Sequence, residues 1–178
     1  MEELSGIEIT IRHDQRPGDL GRVTEMHGLV YAQEYGFDHT FEAYVAATLG
    51  EFGQQYRPER DRLWLAEQGD RLVGSIAIVG RSEDTAQLRW FLVHPVCRGR
   101  GLGSRLLALS LGFCRSAGYR HVYLWTVHPL EDAARLYRRF GFRLTDELPE
   151  KPLWGHGLRE QRYDLEQVDP ADDRRHTS

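Results

Sequence analysis

The stretch Val93–Ser104, VHPVCRGRGLGS, places a proline and three glycines between a predicted strand and a predicted amphipathic helix. Pro95 ends the strand because proline has no N–H to donate to a sheet. Gly99, Gly101 and Gly103 would let the backbone approach an anion without interference from a Cβ atom. The first N–H groups of a helix are unpaired and lie at its positive end, so the segment predicts a phosphate site.

Two arginines in the same loop, Arg98 and Arg100, would add charge-assisted donors to such a site. A flexible loop at a helix start is the alternative interpretation of the glycine spacing. A P-loop requires Gly-Lys-Ser/Thr, whereas Gly103 is followed directly by Ser104. A dinucleotide fingerprint requires an acidic residue at the end of the next strand, where this chain has a histidine and a proline.

Hydrophobic periodicity and turn residues predict one domain over residues 1–168 and a polar tail over residues 169–178. The order of elements predicts an α/β (α+β) fold, with a mixed, mostly antiparallel sheet flanked by helices on both faces. The expected strands cover residues 7–11, 63–67, 72–79, 87–94, 122–127, 142–145 and 162–165. The expected helices begin near Asp19, Thr40, Gly101 and Leu130.

Bulk composition narrows the class of protein. A chain of 178 residues suits a single domain, and a formal net charge of -4 disfavours a surface that coats nucleic acid. No segment approaches the roughly 18 apolar residues that span a bilayer, and the acidic start lacks the pattern of a signal peptide. We therefore expect a cytoplasmic protein without nucleic-acid or membrane partners.

Cysteine and histidine usage gives no sign of a metal or of a covalent nucleophile. Cys97 and Cys114 are the two cysteines, and their placement does not suggest a disulfide. Histidines and cysteines lack the spacing of metal ligands, so no metal is expected. A nucleophilic Cys97 would need a His–Asp arrangement that the sequence does not indicate.

Two motifs carry a resemblance to a known family. Arg98–Gly103, RGRGLG, resembles the Arg/Gln-x-x-Gly-x-Gly/Ala loop of the GNAT (Gcn5-related N-acetyltransferase) family. Ala133–Phe142, AARLYRRFGF, is similar to the family's Ala-x-x-x-Tyr-x-x-x-Gly-Phe segment. The order of elements matches over nearly the whole chain. More narrowly, Pro17–Tyr35 and Leu124–Thr126 resemble the acetyltransferase half that is fused to MarR-type regulators, although this sequence shows no winged helix.

The resemblance implies an N-acetyltransferase that moves an acetyl group from acetyl-CoA to a primary amine of a small molecule or peptide, by direct transfer in a ternary complex. A non-catalytic acyl-CoA sensor or interaction module is the alternative. The pantetheine arm would lie along the backbone of Phe91, Leu92 and Val93 like an added strand. The resemblance further implies that the loop would hold the pyrophosphate through Arg98, Gly99, Arg100, Gly101, Leu102, Gly103 and Ser104.

Tyr137 would protonate the departing thiolate, according to the same resemblance. Its position on a helical face with Leu136 and Phe140 also suits a core aromatic residue. Two departures from the family pattern stand out. Leu130 replaces an asparagine that often contacts pantetheine, and Gln87–Phe91 lacks the glutamate that often serves as general base. The base would come from elsewhere, from a water chain, or be unnecessary for a neutral amine.

The acceptor side is predicted from the first two helices and the loop Trp154–His156, which are rich in tyrosine, phenylalanine, histidine and glutamate. Glu34 is expected to attract a cationic amine, His27 to take its proton, and Tyr31 to line the same pocket. His156 is expected near the opposite wall. A half-buried helix face and a surface-loop histidine are the alternative interpretations, and a homodimer is left open.

Overall fold

The computed structural model describes residues 8–128 and 130–167; the predicted polar tail, residues 169–178, and Ile7 of the first predicted strand lie outside these ranges. The described residues form eight strands and four α-helices, with a short 3-10 turn at Pro95–Cys97. The strands are β1 Ile9–Arg12, β2 Arg62–Gln68, β3 Arg71–Gly80, β4 Thr85–Val93, β5 His121–His128, β6 Arg143–Glu147, β7 Lys151–Leu153 and β8 His156–Glu166. The helices are α1 Asp19–Tyr35, α2 His39–Gln54, α3 Leu102–Ser116 and α4 Glu131–Arg139.

The strands form one sheet in the order β1-β2-β3-β4-β5-β8-β6, and β7 pairs with β8 outside this path. Within the described ranges every pairing is antiparallel except the one between β4 and β5. Apolar side chains of α1 and α2 pack on one face, and those of α3 and α4 pack on the other. The predicted mixed, mostly antiparallel sheet between two helical layers is confirmed. The sequence missed β7, and β8 is longer than predicted.

The starts of the first two helices differ slightly from the expected caps. Gly18, at φ 94°, precedes α1, and Asp19 is its first helical residue rather than its cap. Asp38 caps α2 and accepts a hydrogen bond from the Thr40 backbone N–H at 2.9 Å. A carboxylate two residues before an unpaired N–H satisfies it better than the predicted Thr40 hydroxyl, which is already inside the helix.

Asp19 instead ties α1 to the edge of the sheet. Its carboxylate, only 2% exposed, accepts a 2.7 Å bond from Arg12 Nη2 on β1. Arg12 Nε also donates to Glu67 of β2 at 2.9 Å, and Arg22 of α1 donates to the same glutamate at 2.7 Å. Four charges from three elements therefore share one network, which fixes the position of α1 on the sheet.

We expect Asp19→Ala to lower the free energy of unfolding by about 2 to 4 kcal/mol, because the change leaves Arg12 without one of its two buried partners. Urea denaturation measures this loss. Asp14→Ala is the matched control, since Asp14 also pairs with Arg12 but its side chain is 56% exposed, so its loss should be much smaller than that of Asp19→Ala.

The same pair of variants tests the pH dependence. Burial opposes ionisation of Asp19, but bonds from Arg12 and from the Arg16 N–H outweigh it and hold the pKa of Asp19 below its ordinary 3.8. The advantage of the wild type over Asp19→Ala should therefore be full above pH 3.8 and shrink as the pH falls through the lower folded pKa. An advantage that grew on acidification would contradict this account.

Candidate active site

The sheet opens between β4 and β5. These parallel strands pair at only three positions, Thr85 with His121, Ala86 with Val122, and Gln87 with Tyr123. Beyond them β5 pairs only with β8, along its full length, while β4 continues beside β3. Among the described residues, one edge of β4 is thus left without a neighbouring strand from residue 88 onward, and a wedge-shaped gap enters the sheet.

A bulge in β4 lies at the start of this gap. The register with β3 shifts between Ser75, which faces Leu92, and Ala77, which faces Arg89, so two residues of β4 oppose one of β3. Trp90 lies in the bulge with φ 46°, a left-handed conformation that is rare for a bulky residue. The buried Ser75 hydroxyl donates to the Trp90 carbonyl at 2.7 Å. Because a bulge bends its strand, this bond directs β4 away from β5.

The larger of two cavities at the gap, with a volume of about 490 Å³, extends from β4 to the start of α3. All of the predicted CoA-binding residues except Arg100 line this cavity. Arg100 is exposed and does not line it. The predicted residues that line it are Phe91, Leu92, Val93, Arg98, Gly99, Gly101, Leu102, Gly103 and Ser104.

The three loop glycines have two different functions. Gly99 and Gly101 adopt φ 75° and 78°, where a side chain would strain the backbone although the space beside them is open. Gly103 has ordinary backbone angles, but a Cβ there would lie 3.3 Å from Leu136 of α4. The first helical bond of α3 is donated by the Arg105 N–H to the Gly101 carbonyl, which leaves the preceding amides free to face an anion.

Arg98 and Glu34 form an ion pair at this cavity. The guanidinium donates two bonds to the Glu34 carboxylate, at 2.5 and 2.8 Å, and its Nε donates to the Val93 carbonyl at 3.0 Å. The bonds to Glu34 raise the pKa of Arg98 against the opposing effect of burial. Glu34 therefore lies in the larger cavity, and it partly neutralises the arginine that was expected to contact phosphate.

The smaller cavity, about 140 Å³ in volume, lies between β4, β5 and helices α1 and α2. Its walls include His27, Phe41, Tyr44, Gln87, Arg89, Trp125, Tyr137, Trp154 and Glu160. Four residues, Tyr31, Phe91, Leu130 and Ala133, line both cavities. The two cavities are therefore neighbours across the gap, one beside the glycine loop and the other beside the aromatic face of α2.

Tyr137 is both a core residue and a cavity wall. It is 5% exposed, and its ring centre lies 5.9 Å from those of Phe142 and Tyr163 and 6.0 Å from that of Phe91. Burial raises the pKa of Tyr137 far above its usual range, so the phenol stays protonated at neutral pH. The structure thus shows the core packing suggested by the helical spacing, together with access to the smaller cavity.

The residues predicted for the acceptor side are not brought together in one cavity. His27 is 3% exposed, its Nδ1 lies 2.8 Å from the Val23 carbonyl, and burial lowers its pKa to about 4. It lines the smaller cavity with Tyr31, whereas Glu34 lines the larger. His156 lies outside both, with Nε2 2.9 Å from the Gly36 carbonyl.

Arg89 is a cavity residue that the sequence did not predict, whereas Tyr44 and Trp154 belong to aromatic segments expected on the acceptor side but were not among the predicted site residues. An arginine within a strand of a predicted core sheet is a signal in the sequence that could have found Arg89, because arginine is rarely placed in a core without a partner or a ligand. Tyr44 of α2 and Trp154 of the turn between β7 and β8 are 110 positions apart in the sequence. Their ring centres come within 5.7 Å of each other only in the folded chain.

Both cysteines are buried and free, and burial raises the pKa of Cys114 to about 12. Cys97 lines the larger cavity, where its sulfur lies 3.8 Å from the Gln68 side-chain oxygen. In the part of the chain that the structure describes, no group of three or more His, Cys, Asp or Glu side chains could hold a metal ion. No helix among the described residues is both long and apolar enough to cross a bilayer.

Comparison with known proteins decides the family. The model of the Acetyltransferase (GNAT) family matches residues 22–142, a span longer than half of the 178-residue chain. The chain belongs to the GNAT acetyltransferase family. The matched span runs from α1 to the end of α4, so it contains the glycine loop, the parted strands and Tyr137.

Relatives of known sequence and structure agree with this GNAT assignment. The uncharacterised N-acetyltransferase YjgM of Escherichia coli is 30% identical over 118 residues, which are 64% of this chain and 70% of that protein. An uncharacterised N-acetyltransferase of Schizosaccharomyces pombe, C1271.07c, is 30% identical over 69% of this chain and 76% of its own. The acetyltransferase yncA of Salmonella typhimurium, solved with its cofactor acetyl-CoA, has the same fold, with a TM-score of 0.71, 20% identity, and coverage of 92% of this chain and 96% of that one.

We expect Ser75→Ala to loosen the β4 bulge of this GNAT chain, because the buried Trp90 carbonyl loses its partner at a cost of about 1 to 3 kcal/mol. Amide hydrogen exchange measures the effect as faster exchange confined to β4 and its neighbours. Ser110→Ala is the matched control, since that buried hydroxyl donates to a helical carbonyl at 2.8 Å on α3. If both variants changed exchange in β4 equally, the bond would not govern the bulge.

Proposed function

We propose that this chain is an acetyl-CoA-dependent N-acetyltransferase that transfers the acetyl group directly to a primary amine of a small molecule or peptide. The observation that carries the proposal is the continuity between the unpaired edge of β4, the free amides at the start of α3, and the adjoining cavity at Tyr137. A cofactor with a peptide-like arm and a pyrophosphate needs the first two features, and an acceptor needs the third.

The larger cavity is the proposed place for CoA. The backbone of Phe91–Val93 lies at the gap and offers the N–H and C=O groups that an added strand would bind. Gly99 and Gly101 keep side chains away from the amides that follow, and those amides would hold the pyrophosphate. Arg98 would contribute less positive charge to this site than a free arginine, because its guanidinium is paired with the Glu34 carboxylate.

The chemistry follows from where each group lies. Acetyl-CoA, when bound, supplies an acyl carbon that is already activated as a thioester. The neutral acceptor amine would attack that carbon, the C–S bond would break, and the Tyr137 hydroxyl would give its proton to the sulfur. The proton that the amine nitrogen loses as the amide forms would pass, directly or through water, to the Tyr137 phenolate and restore the hydroxyl. His27 stays neutral at pH 7 because burial lowers its pKa to about 4, so it can accept a proton only weakly.

An acyl-enzyme on Cys97 is not part of the proposal. The Cys97 sulfur is buried and lies 3.8 Å from the side-chain oxygen of Gln68, an amide that is not a general base able to activate a thiol. Tyr137 remains protonated, so it serves as an acid rather than as a nucleophile. The narrower likeness to MarR-fused acetyltransferases, the cytoplasmic location and a homodimer stay predictions.

The hypothesis that Glu34 attracts a cationic acceptor meets a physical obstacle. Glu34 would have to release both bonds from Arg98 before it could receive an ammonium group. Its own cavity is the one proposed for CoA, whereas His27 and Tyr137 face the smaller one. The acceptor is therefore placed, in this proposal, in the smaller cavity, which Tyr31 separates from Glu34.

We expect Gly101→Glu to lower affinity for acetyl-CoA at least tenfold, because a carboxylate at the helix start would repel the pyrophosphate. Calorimetric titration measures the affinity. Gly118→Glu is the matched control: Gly118 also has a positive φ, 83°, and open space beside it, but it follows the opposite end of α3. The two variants share the backbone strain, so equal affinities would refute the loop assignment.

We expect Tyr137→Phe to reduce kcat by about 10²- to 10⁴-fold while acetyl-CoA affinity changes little, because only the acidic hydroxyl is lost. Release of free CoA thiol measures turnover. Tyr163→Phe, at a fully buried neighbour, removes a hydroxyl that accepts a bond from Arg138 and should leave kcat nearly unchanged. Binding of acetyl-CoA without thiol release for any amine would instead favour the non-catalytic sensor.

A further inference from the structure

Arg89 brings a guanidinium group to the wall of the smaller cavity. It lies on β4, one residue before the bulge, and its Nη2 donates to the Tyr44 hydroxyl of α2 at 2.9 Å. The guanidinium carbon lies 4.4 Å from the ring centre of Trp90. Both contacts orient the group, but each partner is neutral, so neither compensates its charge.

The positive charge of Arg89 has no carboxylate partner among residues 8–128 and 130–167. Arg98 and Arg162, by comparison, each form an ion pair at 2.9 Å or less. The charged and titratable groups that act on Arg89 are Tyr44, Tyr123 and the like charge of Arg81. Glu160 lines the same cavity, but its carboxylate is paired with Lys151 of β7.

The guanidinium of Arg89 is only partly solvated and keeps free donors in the absence of a ligand. Arg89 is half-buried, and burial lowers its pKa from the ordinary value of an arginine. A guanidinium presents several N–H donors in a planar fork that matches the two oxygens of a carboxylate. The bond to Tyr44 uses only part of that fork, so donors remain for an anion inside the cavity.

We infer that the acceptor is an amine that also carries a carboxylate, an amino-acid-like molecule, and that Arg89 binds this carboxylate. The inference rests on the proposed function, since it names the acceptor of that same site. Phe41, Tyr44 and Trp154 form an aromatic wall suited to an apolar side chain of the acceptor. When Arg89 binds the carboxylate, the amine of the acceptor would lie in the same cavity, which Tyr137 also lines.

Matched acceptor series test this inference in the full-length protein. Leucine and phenylalanine are each compared with the corresponding carboxamide and with the decarboxylated amine, at one pH, and kcat/KM is measured from release of CoA thiol. We expect the amino acid to be the best acceptor of at least one series. In that series Arg89→Gln should lower kcat/KM for the amino acid about 10- to 100-fold, mainly through KM, while the carboxamide changes less than about threefold.

Three controls separate recognition from damage to the fold. Arg89→Lys keeps the charge but loses the fork, so it should recover part of the preference for the carboxylate. Arg143→Gln, at an exposed position on β6, should leave all acceptors unchanged. The affinity of Arg89→Gln for acetyl-CoA should stay within about twofold of the wild type, because Arg89 does not line the larger cavity.

The outcomes distinguish this inference from the proposed function. If the uncharged amines were acetylated as well as the amino acids, or if Arg89→Gln reduced all acceptors equally, the inference would be overturned and the proposed function would stand. If the wild type released no thiol with any amine, the proposed function and this inference would fall together.

Discussion

The separation of β4 from β5 is the constraint on which the site depends, and it is followed along β4 by the bulge at Trp90, whose carbonyl accepts a bond from the Ser75 hydroxyl. A regular sheet would continue the parallel pairing past Gln87 and leave no room for a ligand between the strands. The bulge holds Trp90 in a left-handed conformation, and the surrounding buried core must offset the cost of that strain. The gap at the centre of the sheet therefore exists at the expense of hydrogen bonds between β4 and β5.

The two cavities at the gap differ in the charged groups that line them. The larger cavity contains the free amides of α3 and an arginine that is already paired with Glu34, so its anion site relies on the backbone. The smaller cavity contains the guanidinium of Arg89, which is bonded to Tyr44 and has no carboxylate partner within residues 8–128 and 130–167, together with an aromatic wall. Helix α1 contributes residues to both cavities. The bond between Asp19 and Arg12 that holds α1 on the sheet therefore also holds these cavity residues in place.

The sequence predicted the features that local rules govern. The glycines of the loop, the helix that follows them and the order of most strands and helices along the chain could be predicted because turn chemistry and hydrophobic periodicity act over a few residues. The acceptor side depends on tertiary contacts that no local rule encodes. The pairing of Glu34 with Arg98 spans 64 positions, and the contact between Arg89 and Tyr44 spans 45. Sequence spacing on α1 alone therefore placed Glu34 beside His27, whereas the fold directs Glu34 to the other cavity.

A crystal structure of the protein with acetyl-CoA bound tests the central claim most directly. The account predicts that the pantetheine arm pairs with the β4 backbone at Phe91–Val93, that the pyrophosphate lies on the amides of residues 99–104, and that the thioester reaches the wall formed by Tyr137. Acetyl-CoA bound away from the gap, or a gap closed by continued pairing of β4 with β5, would contradict it.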